Sequence, residues 1–151
     1  MKLCLVSSAG GHFFQLNQLK NVWNNFDVFW VTFNKTDVNS SILNEKKYYG
    51  YYPESRNALN AIRNLYLAIK ILHKERPSFV ISAGAGIAVP FFLIAKFLKI
   101  KTIYLEPIDF LIFPSLTGKI IHFFKLADLF LIQNHKQRKF FKNSKYWGGT
   151  L

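Results

Sequence analysis

The chain has 151 residues, half of them apolar, enough for one domain with a core of its own. Twenty Lys and Arg against eight Asp and Glu give a net charge of +12, which points to an anionic partner: nucleic acid, an anionic membrane or a phosphorylated substrate. The single cysteine, Cys4, excludes an internal disulfide framework and a cysteine-based zinc site and fits a reducing, cytosolic setting.

In chain order, apolar runs alternate with helical patterns, the signature of a parallel sheet covered by helices. Met1-Lys2 leads directly into strand Leu3–Val6, with no leader-like region expected. The run Ser7-Ser8-Ala9-Gly10-Gly11-His12 follows, then a helix from Phe13 to about Asn24 with Leu16, Leu19 and Val22. Asp27–Phe33 reads as the second strand, 34–47 as a polar loop with at most one helical turn, and Lys47–Tyr52 as a short edge strand ended by Pro53. Asn57 to about Lys74 is the clearest helix, because Leu59, Ile62, Leu65, Tyr66, Ile69 and Leu72 recur at three- and four-residue steps. Ser55 or Asn57 suits its N-cap.

Ser78 to Ala95 carries no charge, but Gly84, Gly86 and Pro90 interrupt it. It reads as strand Phe79–Ser82, turn Ala83-Gly84-Ala85-Gly86 and a buried helix to about Leu98, rather than a membrane span. Strand Lys101–Leu105 exits at Glu106-Pro107. A loop with exposed rings runs over 108–114, a helix capped by Ser115 reaches about Leu126, and Leu129–Gln133 is a further strand. A basic helix or loop, His135–Lys142, precedes Trp147-Gly148-Gly149.

The order is Rossmann-like, yet the first turn lacks Gly-x-Gly-x-x-Gly and no P-loop occurs, which argues against a nicotinamide dehydrogenase or a P-loop nucleotidase. In an open α/β sheet, ligands bind beyond the carboxyl ends of the strands. Three features fall there: Gly10-Gly11-His12, Gly84-Ala85-Gly86 and Glu106. Glycine turns before helices let backbone N–H groups approach a phosphate closely, so two of them suit a diphosphate. A histidine and a carboxylate nearby can polarise an attacking hydroxyl. His73, His122 and His135 have no metal-ligand spacing, and no metal site is expected.

Four stretches in order carry a resemblance: Ser-Ser-Ala-Gly-Gly-His-x-x-Gln-Leu from Ser7, Pro53-Glu54-Ser55-Arg56-Asn57, Ile81–Pro90, and Leu116-Thr117-Gly118-Lys119. They resemble bacterial capsular and exopolysaccharide biosynthesis proteins, which are similar to the membrane-recruiting subunit of the UDP-GlcNAc transferase of asparagine-linked glycosylation. In that family a GT-B glycosyltransferase, like the peptidoglycan lipid-intermediate enzyme, is split into two polypeptides. The resemblance implies that this chain is the N-terminal, acceptor-side lobe, a Rossmann-like α/β domain over residues 1–151 with helices on both faces of its sheet. It implies that Ser8, Gly10, Gly11, Gly84, Ala85 and Gly86 cradle the diphosphate of a polyprenyl-linked saccharide, and that His12 or Glu106 orients or deprotonates the acceptor hydroxyl. It further implies that the UDP-sugar donor sits on the partner, with no other cofactor. Phe110, Phe113, Lys136, Arg138, Lys139 and Trp147 would then meet the membrane or the partner at the cytoplasmic face of the plasma membrane. Phe110 stands where relatives often carry Arg, and Gln133-Asn134 where they often carry Gln-Trp, which weakens a cationic clamp there and alters the partner side. A non-catalytic anchor of the partner is the alternative. A nucleic-acid module is disfavoured by dispersed basic residues and the lack of a recognised binding pattern.

Overall fold

A computed structural model describes residues 1–42, 44–54 and 57–150. Seven parallel strands form one sheet in the order β3-β2-β1-β4-β5-β6-β7. They are β1 Lys2–Val6, β2 Asp27–Thr32, β3 Lys46–Tyr49, β4 Phe79–Ser82, β5 Lys101–Leu105, β6 Leu129–Ile132 and β7 Lys145–Tyr146. The helices are α1 Gly11–Gln18, α2 Lys20–Trp23, α3 Thr36–Ser41, α4 Ala58–Glu75, α5 Ala88–Phe97 and α6 Leu116–Phe123, with a 3-10 turn over His135–Lys139.

Strand residues alternate between two cores. Cys4, Val6, Val80, Tyr104 and Phe130 pack with α4, α5 and α6. Leu3, Leu5, Trp30, Leu105 and Leu131 lie on the other face, under Phe13 and Leu16 of α1, Trp23 of α2 and Val38 of α3. The second layer does not cover the whole sheet. Phe79, Ile81, Ile103 and Leu129 are only half-buried and line an apolar groove of about 230 Å³ with Trp147.

The helix expected over Phe13–Asn24 is two helices. Leu16 O accepts from both Leu19 N–H and the Trp23 indole, each at 3.2 Å, which closes the first helix early. The polar stretch after β2 holds α3, whose Ser40 and Ser41 hydroxyls donate back to Asp37 O; only Val38 in it is buried, so it leaves no apolar period to read. The edge strand spans Lys46–Tyr49, and the two-residue β7 lies beyond any sequence expectation. Asn57 caps α4 by accepting from Asn60 N–H at 2.9 Å, whereas Ser55 lies outside the described residues.

The apolar stripe of α4 faces outward: Leu59, Ile62 and Tyr66 are 57, 65 and 70% exposed, with Ile69 beside them. The inward face carries Ala68, Ile71 and Leu72 in its C-terminal half and asparagines in its N-terminal half. Asn64 accepts from Tyr51 N–H at 2.8 Å and donates to Tyr51 O at 3.0 Å, and Asn60 donates to Pro53 O at 3.0 Å. These bonds hold the 51–53 segment on the helix and set where Glu54 goes. At the opposite edge Glu75, buried at the end of α4, is held by Lys2, Lys46 and Tyr48. Among the described residues no helix is long and apolar enough to cross a membrane.

Candidate functional site

Strand order reverses between β1 and β4, which pair directly with Val6 opposite Ser82. The turns that follow them are therefore neighbours, and the two glycine segments meet at the switch point where this architecture binds ligands. Gly10 takes φ +79° and Gly84 φ +110°, backbone that L side chains rarely adopt. Ala85 takes φ +78° without that freedom, a strained position of the sort found at functional turns.

His12, half-buried in the first turn of α1, reaches across to the β4 turn. Its Nδ1 lies 3.0 Å from Ala83 O. A carbonyl only accepts, so Nδ1 carries the proton; whenever the ring is neutral its lone pair is at Nε2, the tautomer a general base needs. A Cβ on Gly84 would fall 2.6 Å from His12 Nδ1 and 2.9 Å from Pro107 Cγ. Gly84 thus makes room for the imidazole. Gly11, His12, Phe14, Gln15, Ile108 and Asp109 line an open cleft of about 430 Å³.

Glu106 belongs to a different layer. It is fully buried: Ser115 N–H donates to Oε1 at 2.7 Å and Ser115 Oγ donates to Oε2 at 2.9 Å. Ser115 Oγ also caps α6, accepting from Gly118 N–H at 2.8 Å, as expected of an N-cap serine. The Tyr104 hydroxyl lies 3.3 Å from the same oxygen. A Cβ on Gly118 would strike Glu106 Oε2, so that glycine is fixed by the carboxylate packed on it. Burial pushes the Glu106 carboxyl up to about 7 although Ser115 favours its ionised form. The expectation that Glu106 faces an acceptor hydroxyl gives way to a buried bracket on the loop 107–115, with no oxygen open to the cleft.

Other carboxylates reach the site instead. Asp109 lines the cleft and accepts from Gln15 Nε2 at 3.0 Å. Asp37 Oδ2 accepts from Gly10 N–H at 2.9 Å, and Glu54 Oε2 accepts from Ile87 N–H at 2.7 Å. Burial raises the Glu54 carboxyl, while the Ile87 amide and the nearby charge of His12 draw it back down. Four of the eight acidic residues, Asp37, Glu54, Glu106 and Asp109, thus gather at the carboxyl edge of a strongly basic chain. Glu54 and Gln15 stood within recognisable sequence stretches, but nothing in their spacing marked what they hold.

Gln15, Gln133 and Gln137 tie the edge together. Gln133 Nε2 donates to Gln15 Oε1 at 2.9 Å and to Glu106 O at 3.0 Å, and Gln137 Nε2 donates to Pro107 O at 2.7 Å. Thr150 donates through its backbone and hydroxyl to Gln133 Oε1, so the end of the described chain returns to the site. Gly86, half-buried, faces the Glu54 carboxylate, Gly11 is open to solvent, and the Ser8 hydroxyl turns to Ala9 O at 3.2 Å. Phe110 is half-buried. Phe113 is 72% exposed beside the equally exposed Ile112 and Leu116. Lys136, Arg138 and Lys139 are exposed on the 3-10 turn, and Trp147 stands at the sheet groove. Ser55 and Arg56 lie outside the described residues. Among those described, no three His, Cys, Asp or Glu side chains cluster to hold a metal.

A family model described as "Oligosaccharide biosynthesis protein Alg14 like" matches residues 52–150. The chain is 28% identical over 152 residues to a UDP-N-acetylglucosamine–N-acetylmuramyl-(pentapeptide) pyrophosphoryl-undecaprenol N-acetylglucosamine transferase of Caldicellulosiruptor saccharolyticus, a match covering 90% of this chain and 40% of that protein. It is 26% identical over 128 residues to the human UDP-N-acetylglucosamine transferase subunit ALG14, covering 76% of this chain and 58% of that one. The chain therefore spans about half the length of these curated relatives. In fold it matches the crystal structure of Acinetobacter baumannii MurG with a TM-score of 0.73 at 16% identity, over 99% of this chain and 45% of that chain. The architecture is a Rossmann-like lobe of the GT-B type.

Proposed function

We propose that this chain, which belongs to the Alg14-like family of oligosaccharide biosynthesis proteins, is the acceptor-side half of a two-polypeptide glycosyltransferase. The observation that carries the reading is the meeting of two glycine turns at the β1–β4 switch point, with His12 bridging them. The acceptor is a polyprenyl-diphosphate-linked saccharide, and the bacterial capsule or exopolysaccharide setting follows from the sequence resemblance. Gly10, Gly11 and Gly84–Gly86, with Ser8 at their edge, receive the diphosphate on backbone N–H groups. The acceptor hydroxyl enters the cleft beside Gln15 and Asp109 and gives its proton to His12 Nε2 as it attacks the donor sugar. Glu106 acts as a positioning residue that fixes the loop under Pro107, the residue packed beside His12. The UDP-sugar is held by the partner.

Three surfaces support the assembly. The apolar groove over β4, β5 and β6 with Trp147 leaves part of the sheet without a second layer, and the partner polypeptide covers it. The outward stripe of α4, with Arg63 and Lys70 exposed on the same helix, and the ridge of Ile112, Phe113 and Leu116 suit peripheral contact with an anionic cytoplasmic leaflet. Each well-placed basic residue there contributes about 1 kcal/mol. Lys136, Arg138 and Lys139 add to this charge.

Reconstitution tests the reading. The chain alone is expected to transfer no sugar from a UDP-sugar to a polyprenyl-diphosphate saccharide. Adding the nucleotide-sugar-binding polypeptide that co-purifies with it from the native cell restores transfer. Robust turnover by the chain alone would refute a divided site.

A further inference from the structure

One backbone N–H at each of the two turns is already engaged by a carboxylate. Gly10 N–H donates to Asp37 Oδ2 at 2.9 Å and Ile87 N–H donates to Glu54 Oε2 at 2.7 Å. Neither acid belongs to the turn it meets. Asp37 comes from the first turn of α3, and Glu54 follows the segment that Asn60 and Asn64 fasten to α4. A Cβ on Gly86 would lie 3.5 Å from Glu54 Oε2, so the space above that glycine holds a carboxylate. Two more polar groups wait beneath. Ser7, the residue before the first turn, and Thr32, at the end of the neighbouring β2, are both 0% exposed, and their hydroxyls have no hydrogen-bond partner among the described residues. Buried donors are normally spent, so this pair at the root of the turn is a polar spot set directly behind the site.

We propose that Asp37 and Glu54 are displaceable stand-ins for the two phosphates of the acceptor, one at each turn, and that they make the site selective for a diphosphate. This rests on the acceptor-side reading above. A carboxylate and a phosphate oxygen compete for the same N–H groups. While the site is empty, the acids satisfy amides that would otherwise be idle at the sheet edge. An anion with one phosphate can displace one of them and then lies against the charge of the other. A diphosphate spans both turns, displaces both, and gains both sets of amides. The exchange moves each carboxylate out toward solvent, which Asp37, exposed on α3, and Glu54, half-buried at the mouth, have room to do.

The test is calorimetric titration of inorganic pyrophosphate and of inorganic phosphate into the full chain. The forms compared are wild type, Glu54→Gln, Asp37→Asn, the double variant, and Asp27→Asn as a charge control at the opposite edge of the sheet. An amide competes for a backbone N–H less well than a carboxylate, so each site variant is expected to bind pyrophosphate about five-fold more tightly. Asp27→Asn leaves the affinity unchanged, and the double variant shows a narrower preference for pyrophosphate over phosphate than wild type. Equal affinity in wild type and both site variants would overturn the proposal, as would a gain in Asp27→Asn equal to theirs, or absence of pyrophosphate binding in every form. If a variant does not fold, backbone resonances of the wild-type chain decide. Pyrophosphate must shift the Gly10 and Ile87 amides, and unmoved amides sink the proposal. Sugar transfer by the reconstituted pair is read separately. Transfer without the affinity gain removes the stand-ins and leaves the divided enzyme, whereas the affinity gain without transfer does the reverse.

Discussion

His12→Ala is expected to lower sugar transfer by the assembled pair about 100-fold or more, the usual range for loss of a positioned general base. The imidazole is set by two contacts that do not depend on substrate: Nδ1–H on Ala83 O and the ring against Gly84. Its work is therefore separable from acceptor binding, and the loss falls on kcat more than on KM. Gly84→Ala should reproduce much of the defect with His12 intact. The added Cβ would overlap Nδ1, and φ +110° at that position is strained for any L residue. Steady-state kinetics of the reconstituted pair checks both. Undiminished activity in His12→Ala would mean that this chain anchors a partner which carries all the catalysis.

The second large effect is on stability. Glu106 has a folded-state pKa of about 7 against an ordinary 4.5, because burial disfavours its charge. The native chain then holds that proton more tightly than the unfolded chain does. The stabilising contribution is complete below pH 4.5 and is lost as pH rises through about 7. A span of this size amounts to roughly 3 kcal/mol, or about 5–10 °C in Tm for a chain of this length. Glu106→Gln removes the titrating group, so its melting temperature should decline less than that of wild type between pH 5 and pH 8. Parallel curves would mean that Glu106 does not titrate in this window. Glu75 does not obscure the comparison. Lys46, Tyr48 and Lys2 hold its carboxyl down at about 2, so its contribution is present above pH 4.5 and fades only toward acid.

Much of this architecture could be read from residue pattern, and the exceptions have identifiable causes. Parallel strands buried on both faces are continuous apolar runs, so Leu3–Val6, Phe79–Ser82 and Leu129–Ile132 stood out. The edge element β7 has two residues, both exposed, and carries no such signal. The period of α4 located the helix but not its inward face. The buried side carries Asn60 and Asn64, which satisfy the backbone of Tyr51 and Pro53, along with Ala68, Ile71 and Leu72, while Leu59, Ile62, Tyr66 and Ile69 are left outside. Periodicity reports that a face exists; what lies against it is tertiary information.

The candidate site divides the same way. Glycines before helices pointed to His12, Gly10 and Gly84, and the β1–β4 pairing brings them together. Glu106 was selected by its place at a strand exit, but the same place puts it at the N-terminus of α6, where Ser115 consumes both its oxygens. Asp37 could not be foreseen, because it reaches Gly10 across 27 residues from a helix with no apolar pattern. Glu54 stood inside a recognisable stretch, yet its partner Ile87 is 33 residues away.

The proposed division of labour between two polypeptides is tested by photolabelling. A polyprenyl-diphosphate saccharide carrying a photoreactive group next to its diphosphate is irradiated with the reconstituted pair, and the labelled peptides are sequenced. The label should fall on this chain, within Ser7–His12 and Ala83–Ile87. Label confined to the nucleotide-sugar-binding partner would contradict an acceptor site built on this sheet edge.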